Sequence, residues 1–286
     1  MARAELPSFD LVVATVDRTK ELQRLFESLE RQAHPAFRVL LVDQNEDDRL
    51  DEIIRRHPSL EVKHLRAPRG LSRARNAALA HLRADLVAFP DDDCVYPEDL
   101  LQRIARRFAV DASLGGLTGR AADLHGQSAA TWPVTAAEVT AAEVTRENLW
   151  QRAISFTIFL RSSVVGVVGA FDEELGLGSG QPWSSGEETD YLIRALDTGV
   201  RIEYDPELVV LHDEKTFGPA ALRSAGAREG ASIGYLLRKH RYSAGTVGKM
   251  FVRPLGGAAV SLVRREPARA RFYLSTLRGR LAGYRR

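Results

Sequence analysis

The sequence predicts an α/β fold with a mostly parallel central sheet flanked by helices. In its first hundred residues, short apolar runs alternate with segments whose apolar residues recur at helical spacing. Strands separated by single helices need crossover connections, which favour parallel pairing with both sheet faces covered. The predicted strands are residues 11–15, 38–42, 61–65 and 85–89. The helical periodicity is carried by Leu22, Leu25, Phe26 and Leu29, by Ala74, Ala78, Leu79 and Leu82, and by Leu100, Leu101, Ile104 and Phe108.

The second half of the chain has weaker patterns. We expect an insertion or mobile segment at 124–148, which is rich in Ala and Thr, and a flexible loop at 176–186, which is rich in Gly and Ser. Further strands are predicted at 156–160, 201–204 and 208–211, and a helix at about 187–199. From Pro219 the pattern is helical to the end, with breaks near Gly245, Pro254 and Pro267.

Composition is that of an ordinary soluble globular protein, with 44% hydrophobic and 27% charged residues. The single cysteine, Cys94, excludes an internal disulfide framework and fits a reducing compartment. No secretion signal is visible, and no apolar run approaches the ~20 residues that span a bilayer. A cytoplasmic location is therefore expected.

Charge is unevenly distributed along the chain. Residues 245–286 contain ten Lys or Arg and one acid, Glu266, whereas the remainder has a net charge of −7. A basic tail on an acidic body suggests an anionic partner, such as the inner face of the cell membrane bound peripherally. A homodimer contact, or packing of the tail on the acidic body, would use the same charges. Nucleic acid is not expected, because no basic groove with interleaved aromatic residues occurs elsewhere.

Three carboxylates, Asp91, Asp92 and Asp93, follow the predicted strand at 85–89. Like charges crowded into a strand-end loop are unfavourable unless a cation is close. Mg²⁺ or Mn²⁺ would suit this site, because both take oxygen ligands and keep open positions for phosphate oxygens. The alternative is a solvated acidic turn that caps the next helix. Asp17 and Asp43 also follow strands, and ligands bind beyond this edge of parallel sheets.

Two further segments carry residues suited to a nucleotide. Residues 70–76 open a helix that Ser72 could cap, where exposed N–H groups and Arg73 or Arg75 favour an anion such as a diphosphate. Asp43 could accept hydrogen bonds from a ribose or a base. The alternatives are a surface helix with solvated arginines and an Asx turn at Asp43.

A second acidic cluster begins the helix predicted at 187–199. Ser185 and Glu188 fit a capping box, which is a structural explanation of the cluster. The cluster also follows a glycine-rich loop carrying Trp183, as a lid over a site would, and a carboxylate there could serve as general base. His212 ends a strand, where it is either a polar rim residue or a nitrogen ligand of the Asp93 metal site.

Taken together, these segments resemble the family 2 inverting glycosyltransferases with a GT-A fold, over about residues 9–212. The segments that carry the resemblance are 14–18, the Val42-Asp43 strand end, 70–76, the D-x-D element Asp91-Asp92-Asp93, and the acceptor-side motif at 186–190. The resemblance implies a nucleotide-diphosphate sugar donor, a saccharide or lipid-linked acceptor and a divalent metal, Mn²⁺ or Mg²⁺. It also implies a catalytic domain at 1–215, with a donor half to about 120 and an acceptor half at 121–215, followed by a basic helical extension at 216–286.

Roles for individual residues follow from the same resemblance. Glu188 would be the general base, with Glu187 and Asp190 as the other candidates, and Trp183 would lie on the acceptor or lid side. The donor would contact Thr15, Asp17, Arg18, Asp43, Arg73, Arg75, Asp91 and Asp92. The metal would be held by Asp91, Asp93 and His212. The sequence departs from the family pattern at Asp17, where other polar residues are common, at Pro90, where leucine is frequent, and at Glu188, where Asp is commoner.

Two other functions stay open at this point. A sugar nucleotidyltransferase also uses metal-binding aspartates, but it usually carries a glycine-rich loop after the first strand, which residues 14–18 lack. A non-catalytic carbohydrate-binding scaffold would keep the fold without turnover.

Overall fold

The computed structural model describes residues 5–127, 140–213 and 218–286. Their contacts divide into two compact units: 5–69, 73–127, 140–171 and 191–213 form the first, and 70–72, 172–190 and 218–286 form the second. These units are defined by contacts and do not test where catalysis lies. The catalytic domain predicted at 1–215 therefore stays a prediction. The segment predicted as an insertion, 124–148, lies partly outside the described residues.

The first unit is built on one sheet. Its strands are β1 (Phe9–Thr15), β2 (Phe37–Asp43), β3 (Val62–Arg66), β4 (Leu86–Ala88), β5 (Cys94–Val95), β6 (Leu114–Ala122), β7 (Ala142–Glu143), β8 (Ile158–Arg161) and β9 (Arg201–His212). Their order is β3-β2-β1-β4-β8-β6-β9-β5, and β7 pairs with β9. Strands β1 to β4 are parallel neighbours, and β6 is parallel to β9, so most of the paired length is parallel. The predicted sheet type is confirmed.

Helices connect these strands, and those at 20–30, 71–79, 100–110 and 187–197 match the helical patterns of the sequence. They are α1 (Lys20–Glu30), α2 (Asp51–Arg56), α3 (Leu71–Leu79), α4 (Leu100–Val110), α5 (Ser162–Val168) and α6 (Glu187–Asp197), with short 3-10 helices at Leu149–Gln151 and Ser155–Thr157. Alternate residues of β1 point to opposite faces, and both Leu11 and Val12 are buried. Leu11 joins the cluster formed with α1 and α4, whereas Val12 lies outside that cluster. The sheet is therefore covered on both faces, as a parallel sheet requires.

The strands of the second half differ from the predicted ones in two respects. β6 has no predicted counterpart, since the three glycines of Leu114–Ala122 give the segment a low strand propensity. At Gly119, a Cβ atom would lie 2.2 Å from the carbonyl oxygen of Leu208, so close approach of β9 requires glycine here. The strands predicted at 201–204 and 208–211 are one strand, β9, whose register against β6 shifts around Pro206. Proline cannot donate to the ladder, which explains the irregularity.

The second unit contains three long helices, α7 (Pro219–Lys239), α8 (Ala244–Val263) and α9 (Pro267–Tyr284). The break predicted at Pro254 is wrong, because this proline lies inside α8. Proline leaves the carbonyl of Met250, four residues earlier, without its helical N–H. The guanidinium of Arg280 on α9 supplies the missing donor, since its Nη1 donates to that carbonyl oxygen. None of the helices in the described residues has the length and hydropathy needed to cross a lipid bilayer.

Glycine sets the distance between α7 and α9, and this leads to a first prediction. A Cβ atom at Gly230 would lie 2.2 Å from the backbone oxygen of Thr276, so Gly230→Ala must push the helices apart. We expect it to lower the free energy of unfolding by about 2 kcal/mol. The matched control is Gly248→Ala in α8, where a Cβ meets nothing within 4 Å. Because alanine favours a helix over glycine, that variant should gain about 0.5–1 kcal/mol. Thermal or urea unfolding distinguishes them, and equal midpoints would contradict the close packing.

Candidate active site

The three aspartates lie in the turn between β4 and β5, at the carboxyl end of the parallel strands. Because β5 pairs antiparallel with the end of β9, with Cys94 opposite His212, the histidine comes beside Asp93. His212 Nε2 lies 3.0 Å from Asp93 Oδ1. One ligand atom each from Asp91, Asp93 and His212 lies within 4.8 Å of the other two. The three residues predicted to bind metal are thus brought together.

The electrostatics of this turn favour a cation. Burial, together with the neighbouring Asp93 carboxylate, raises the pKa of Asp91 to about 6 against the opposing effect of Arg75. Burial also raises the pKa of Asp92, despite its hydrogen bonds from Thr15 and Arg18. A bound cation would stabilise the ionised carboxylates. Two carboxylates and an imidazole fit Mn²⁺, and also Mg²⁺ with water or phosphate oxygens completing the shell.

Thr15 and Arg18 contact the aspartates directly. Thr15 Oγ1 donates to Asp92 Oδ2 over 2.7 Å, and Arg18 Nη1 donates to Asp92 Oδ1 over 2.5 Å. The same Arg18 nitrogen lies 2.6 Å from Asp93 Oδ2. The side chain of Arg18 is about one-third exposed, so it connects the buried aspartates to the surface.

Arg75 is buried, unlike the exposed phosphate ligand that its position at the start of a helix predicts. Its side chain is 2% exposed, and its Nη2 is 3.6 Å from Asp91 Oδ1. The guanidinium lies 5.7 Å from the ring centre of Phe89 and 5.4 Å from that of Phe171, and it donates to Ser155 Oγ. In this position Arg75 orients Asp91 from beneath the turn.

Two contacts near the residues predicted to bind metal have no signal in the sequence. Phe156 stacks on the His212 ring, with centroids 4.7 Å apart and planes 7° apart. Ser155, next to it, accepts the hydrogen bond from Arg75. Both come from the 3-10 turn before β8, so the strand predicted at 156–160 begins only at Ile158. The pairing of β6 with both β8 and β9 brings this turn close to His212.

Asp43, at the end of β2, is fully buried and its oxygens are already engaged. Oδ1 accepts from the backbone N–H of Asn45 over 2.8 Å, which is the Asx turn considered as an alternative. Oδ2 lies 3.0 Å from His64 Nε2 and 3.3 Å from Arg66 Nη1. His64 and Arg66 come from β3 and were not predicted as site residues. Their parallel register beside Asp43 brings them there.

Asp17 lies at the edge of the same region and is exposed. Its φ is +59°, and its N–H donates to Asn45 Oδ1 over 2.7 Å. Its carboxylate pairs with Arg69 Nη2 at 2.9 Å, a partner that sequence reasoning missed. Arg73 is also exposed, and its Nη1 is 3.5 Å from the carbonyl oxygen of Arg69.

The second acidic cluster belongs to the second unit. Of the three candidate bases, Glu187 and Asp190 are buried, and Glu188 is half-buried. The capping boxes predicted at Ser72 and Ser185 are corrected. Ser72 lies inside α3 and donates to the carbonyl oxygen of Leu175, while Ser185 Oγ lies 2.8 Å from Ser232 Oγ. Gly186, with φ +84°, precedes the first residue of α6 instead.

Asp190 is held in a buried cluster of charges, which leads to a second prediction. Its Oδ1 lies 2.6 Å from Lys239 Nζ and 2.8 Å from His240 Nε2. We expect Asp190→Asn to lower the free energy of unfolding by about 1–3 kcal/mol, because a fully buried carboxylate that pairs with two side chains is replaced by an amide. Lys239 keeps its other pair, with Asp172 at 2.6 Å. Asp197→Asn, in the same helix but in a half-exposed pair with Arg146, should cost under about 1 kcal/mol. Equal unfolding midpoints for the two variants would show that Asp190 has no such anchoring role.

Trp183 packs within the second unit. Its indole stacks on the ring of Tyr235 in α7, with centroids 4.5 Å apart. The side chain is 8% exposed, and its Nε1 has no hydrogen-bond partner among the described residues.

The comparisons with known proteins agree with this geometry. The sequence profile of "Glycosyl transferase family 2" matches residues 10–161, more than half of the chain. A pre-mycofactocin glycosyltransferase of Mycobacterium tuberculosis is 27% identical over 214 residues, which cover 72% of this chain and 43% of that protein. Glycosyltransferase AglE of Haloferax volcanii is 25% identical over 228 residues, covering 74% and 69%. The chain thus spans less than half the length of the mycobacterial relative.

Solved structures show the same fold at lower identity. Mannosyltransferase PcManGT from Pyrobaculum calidifontis, in complex with GDP-Man and Mn²⁺, superimposes with a TM-score of 0.69 at 15% identity, covering 97% of this chain and 88% of that one. Residues 1–349 of S. aureus TarS, in complex with UDP-GlcNAc, give 0.62 at 17%, covering 95% and 92%. The fold is therefore the predicted GT-A fold with C-terminal helices. The profile match extends this conclusion from fold to family: the chain belongs to glycosyltransferase family 2.

Proposed function

We propose that this glycosyltransferase moves a sugar from a nucleotide-diphosphate donor to an acceptor hydroxyl, with inversion and with a divalent metal. The observation that carries the proposal is the convergence of Asp91, Asp93 and His212 at the carboxyl end of the sheet. An exposed acidic turn would not need a histidine from a distant strand. Bound there, Mn²⁺ or Mg²⁺ would neutralise charge on the diphosphate leaving group.

The donor side is assigned to the polar residues beyond β1, β2 and β3. Exposed Asp17 and Arg69 offer hydrogen bonds to a nucleotide, and Arg73 offers a positive charge to its phosphates. Buried Asp43 would contact the ribose or base only by exchanging a present partner, so we propose that it positions Arg66. Thr15, Arg18 and Arg75 are proposed to hold Asp91, Asp92 and Asp93 in place. The solved structures bound to GDP-Man and UDP-GlcNAc support a nucleotide-sugar donor of this class.

The acceptor side is assigned to the start of α6. Glu188 is proposed as the general base, because it is half-buried while Glu187 and Asp190 are buried. It would take the proton of the acceptor hydroxyl as that oxygen bonds to the anomeric carbon. The bond from that carbon to the diphosphate then breaks, and the electron pair leaves with the diphosphate. Trp183, four residues before this helix, is proposed to lie on the acceptor or lid side.

The acceptor class and the location follow as further parts of the proposal. We assign the enzyme to polysaccharide or glycolipid assembly at the cytoplasmic side of a membrane, with a saccharide or lipid-linked acceptor. The domain at 1–215 would carry catalysis, and the basic helices after it would carry attachment.

Product analysis tests the proposal. The protein is incubated with a panel of nucleotide sugars, including GDP-mannose and UDP-N-acetylglucosamine, with Mn²⁺ and candidate acceptors. We expect release of the nucleoside diphosphate and, from an α-linked donor, a β-linked product by NMR. Pyrophosphate release would identify a nucleotidyltransferase, an α-linked product would exclude inversion, and turnover unaffected by a chelator would exclude the metal.

A further inference from the structure

The outer face of α8 is apolar, unlike that of an ordinary surface helix. Its large exposed apolar side chains are Val252, Leu255, Val260, Leu262 and Val263, whereas its buried side has Met250, Pro254, Ala258 and Ser261. Single exposed apolar residues are common on proteins, but a contiguous set usually marks an interaction surface. The helix therefore presents most of its large aliphatic side chains outward.

These residues form one stripe along the helix. Val252, Leu255 and Val263 recur at three- and eight-residue intervals, which an α-helix places on one side. Val260 and Leu262 border the stripe, and Gly256 and Ala259 lie within it, so no polar side chain interrupts its centre. Val263 is 84% exposed, at the end of the helix.

Positive charge lies at both ends of the stripe. Lys249 and Arg253 border it towards its start, and Arg264 and Arg265 follow its last residue, all four exposed. The sequence of α8 contains no acid. Burial, and then the charge of Arg253, lower the pKa of Arg280 to about 10, so the positive field also reaches beneath the helix. An anionic partner would relieve this repulsion.

The same combination continues on α9. Its exposed residues Arg271, Leu274, Arg278 and Leu281 recur at intervals of three and four, which alternates guanidinium groups with leucine along one side. Arginine carries its charge on a long apolar stem, which can follow an apolar surface while the guanidinium stays at a polar boundary.

Charge distinguishes between two candidate occupants of this surface, a second copy of the chain and a lipid bilayer. Two copies of α8 packed face to face would bring like charges together in either orientation, because both ends are basic. A lipid surface with anionic headgroups accepts the aliphatic stripe at the acyl boundary and the arginines at the phosphates. We propose that the α8 face (Val252, Leu255, Val260, Leu262, Val263 and the basic residues at its ends) docks on an anionic phospholipid bilayer.

One consequence of docking rests on the proposed function: the acceptor is then a lipid-linked molecule in the same membrane. Docking itself is measured without turnover. A protein that transfers sugar to a water-soluble acceptor but ignores vesicles overturns the docking alone. A protein that binds vesicles but releases no nucleoside diphosphate overturns the proposed function alone.

Vesicle co-sedimentation of the full chain tests the docking. Phosphatidylcholine vesicles with about 30% phosphatidylglycerol are compared with pure phosphatidylcholine. We expect the protein to bind the anionic vesicles. The partition coefficient should be at least about tenfold lower on neutral vesicles, and also at high salt. Leu255→Asp/Val263→Asp should lower the partition coefficient at least about tenfold, and so should Arg264→Glu/Arg265→Glu.

Matched controls are available on α4 of the first unit. Val110, which is 82% exposed, is the control for Val263, and exposed Arg106 is the control for Arg264. Val110→Asp and Arg106→Glu should bind vesicles as the parent does, and circular dichroism should show all variants folded. Parental binding by the α8 variants would overturn the proposal. So would light scattering that shows a lipid-free dimer which the α8 variants dissociate, since a second copy would then cover the face.

Discussion

Replacing Asp93 by alanine is expected to abolish sugar transfer while leaving the protein folded. We expect kcat to fall by at least about 10³-fold, the effect of removing a group that stabilises charge developing in a transition state. Asp93 is central to the site, since its carboxylate lies 3.0 Å from His212 Nε2 and 2.6 Å from Arg18 Nη1. Asp93 thus joins the histidine at the end of β9 to the arginine that follows β1.

Metal binding gives this prediction a readout that does not depend on turnover. A ligand present at a hundred times its Kd stabilises the native state by about 2.7 kcal/mol. The parent should show this gain on addition of Mn²⁺, and Asp93→Ala should lose most of it. Without metal, Asp93→Ala loses the ion pairs to Arg18 and His212 but also the repulsion of Asp93 with Asp91 and Asp92, so its unfolding should stay close to that of the parent.

The control is Asp99→Ala, six residues further along the chain. Asp99 is an exposed acid next to the start of α4, with only a distant pair to Arg103 at 3.9 Å. It should keep both activity and the response to Mn²⁺. If Asp93→Ala retained transfer, the metal site would not be the centre of the reaction, whatever binds there.

The fold could be predicted further from the sequence than the site could. Strand-helix alternation predicts β1 to β4 and the helices α1 and α3, because each apolar pattern depends on local periodicity. The short helix α2 has no predicted counterpart. The strand β6 has no such pattern, since its glycines serve the close approach of β9 rather than a local preference. The continuous helix through Pro254 also depends on a distant residue, Arg280, which donates to the carbonyl that proline leaves without a partner.

The site shows the same limit. Residue type and strand-end position predict Asp91, Asp93 and His212, because parallel strands bring their carboxyl ends to one edge. The burial of Arg75 could not be predicted, since its neighbours Phe89, Ser155 and Phe171 come from distant segments. From the sequence, an arginine at the start of a helix is interpreted as a phosphate ligand. In the structure the guanidinium of Arg75 is buried beside Asp91. His64 and Arg66 beside Asp43 escaped notice for a similar reason, since only the β2–β3 register aligns them.

Glu188→Gln is expected to lower kcat by about 10³-fold with little change in donor binding. Glutamine keeps the shape of the side chain but cannot accept the acceptor's proton, and a positioned general base contributes about 10²–10⁴-fold. Donor affinity should hold, because Glu188 is not one of the proposed donor contacts. Titration of the nucleoside diphosphate with Mn²⁺ measures this affinity, and single-turnover transfer measures the chemical step.

Glu187→Gln is the matched control, one residue away in the same helical turn. Glu187 is 4% exposed, whereas Glu188 is half-buried. We therefore expect Glu187→Gln to affect unfolding more than kcat, and Glu188→Gln to affect kcat more than unfolding. The pH dependence separates a base from a merely structural carboxylate, because the parent's rate should rise from acidic pH and that of Glu188→Gln should not. If Glu187→Gln alone lost the chemical step and its pH dependence, the base would be Glu187, and the assignment by exposure would be wrong.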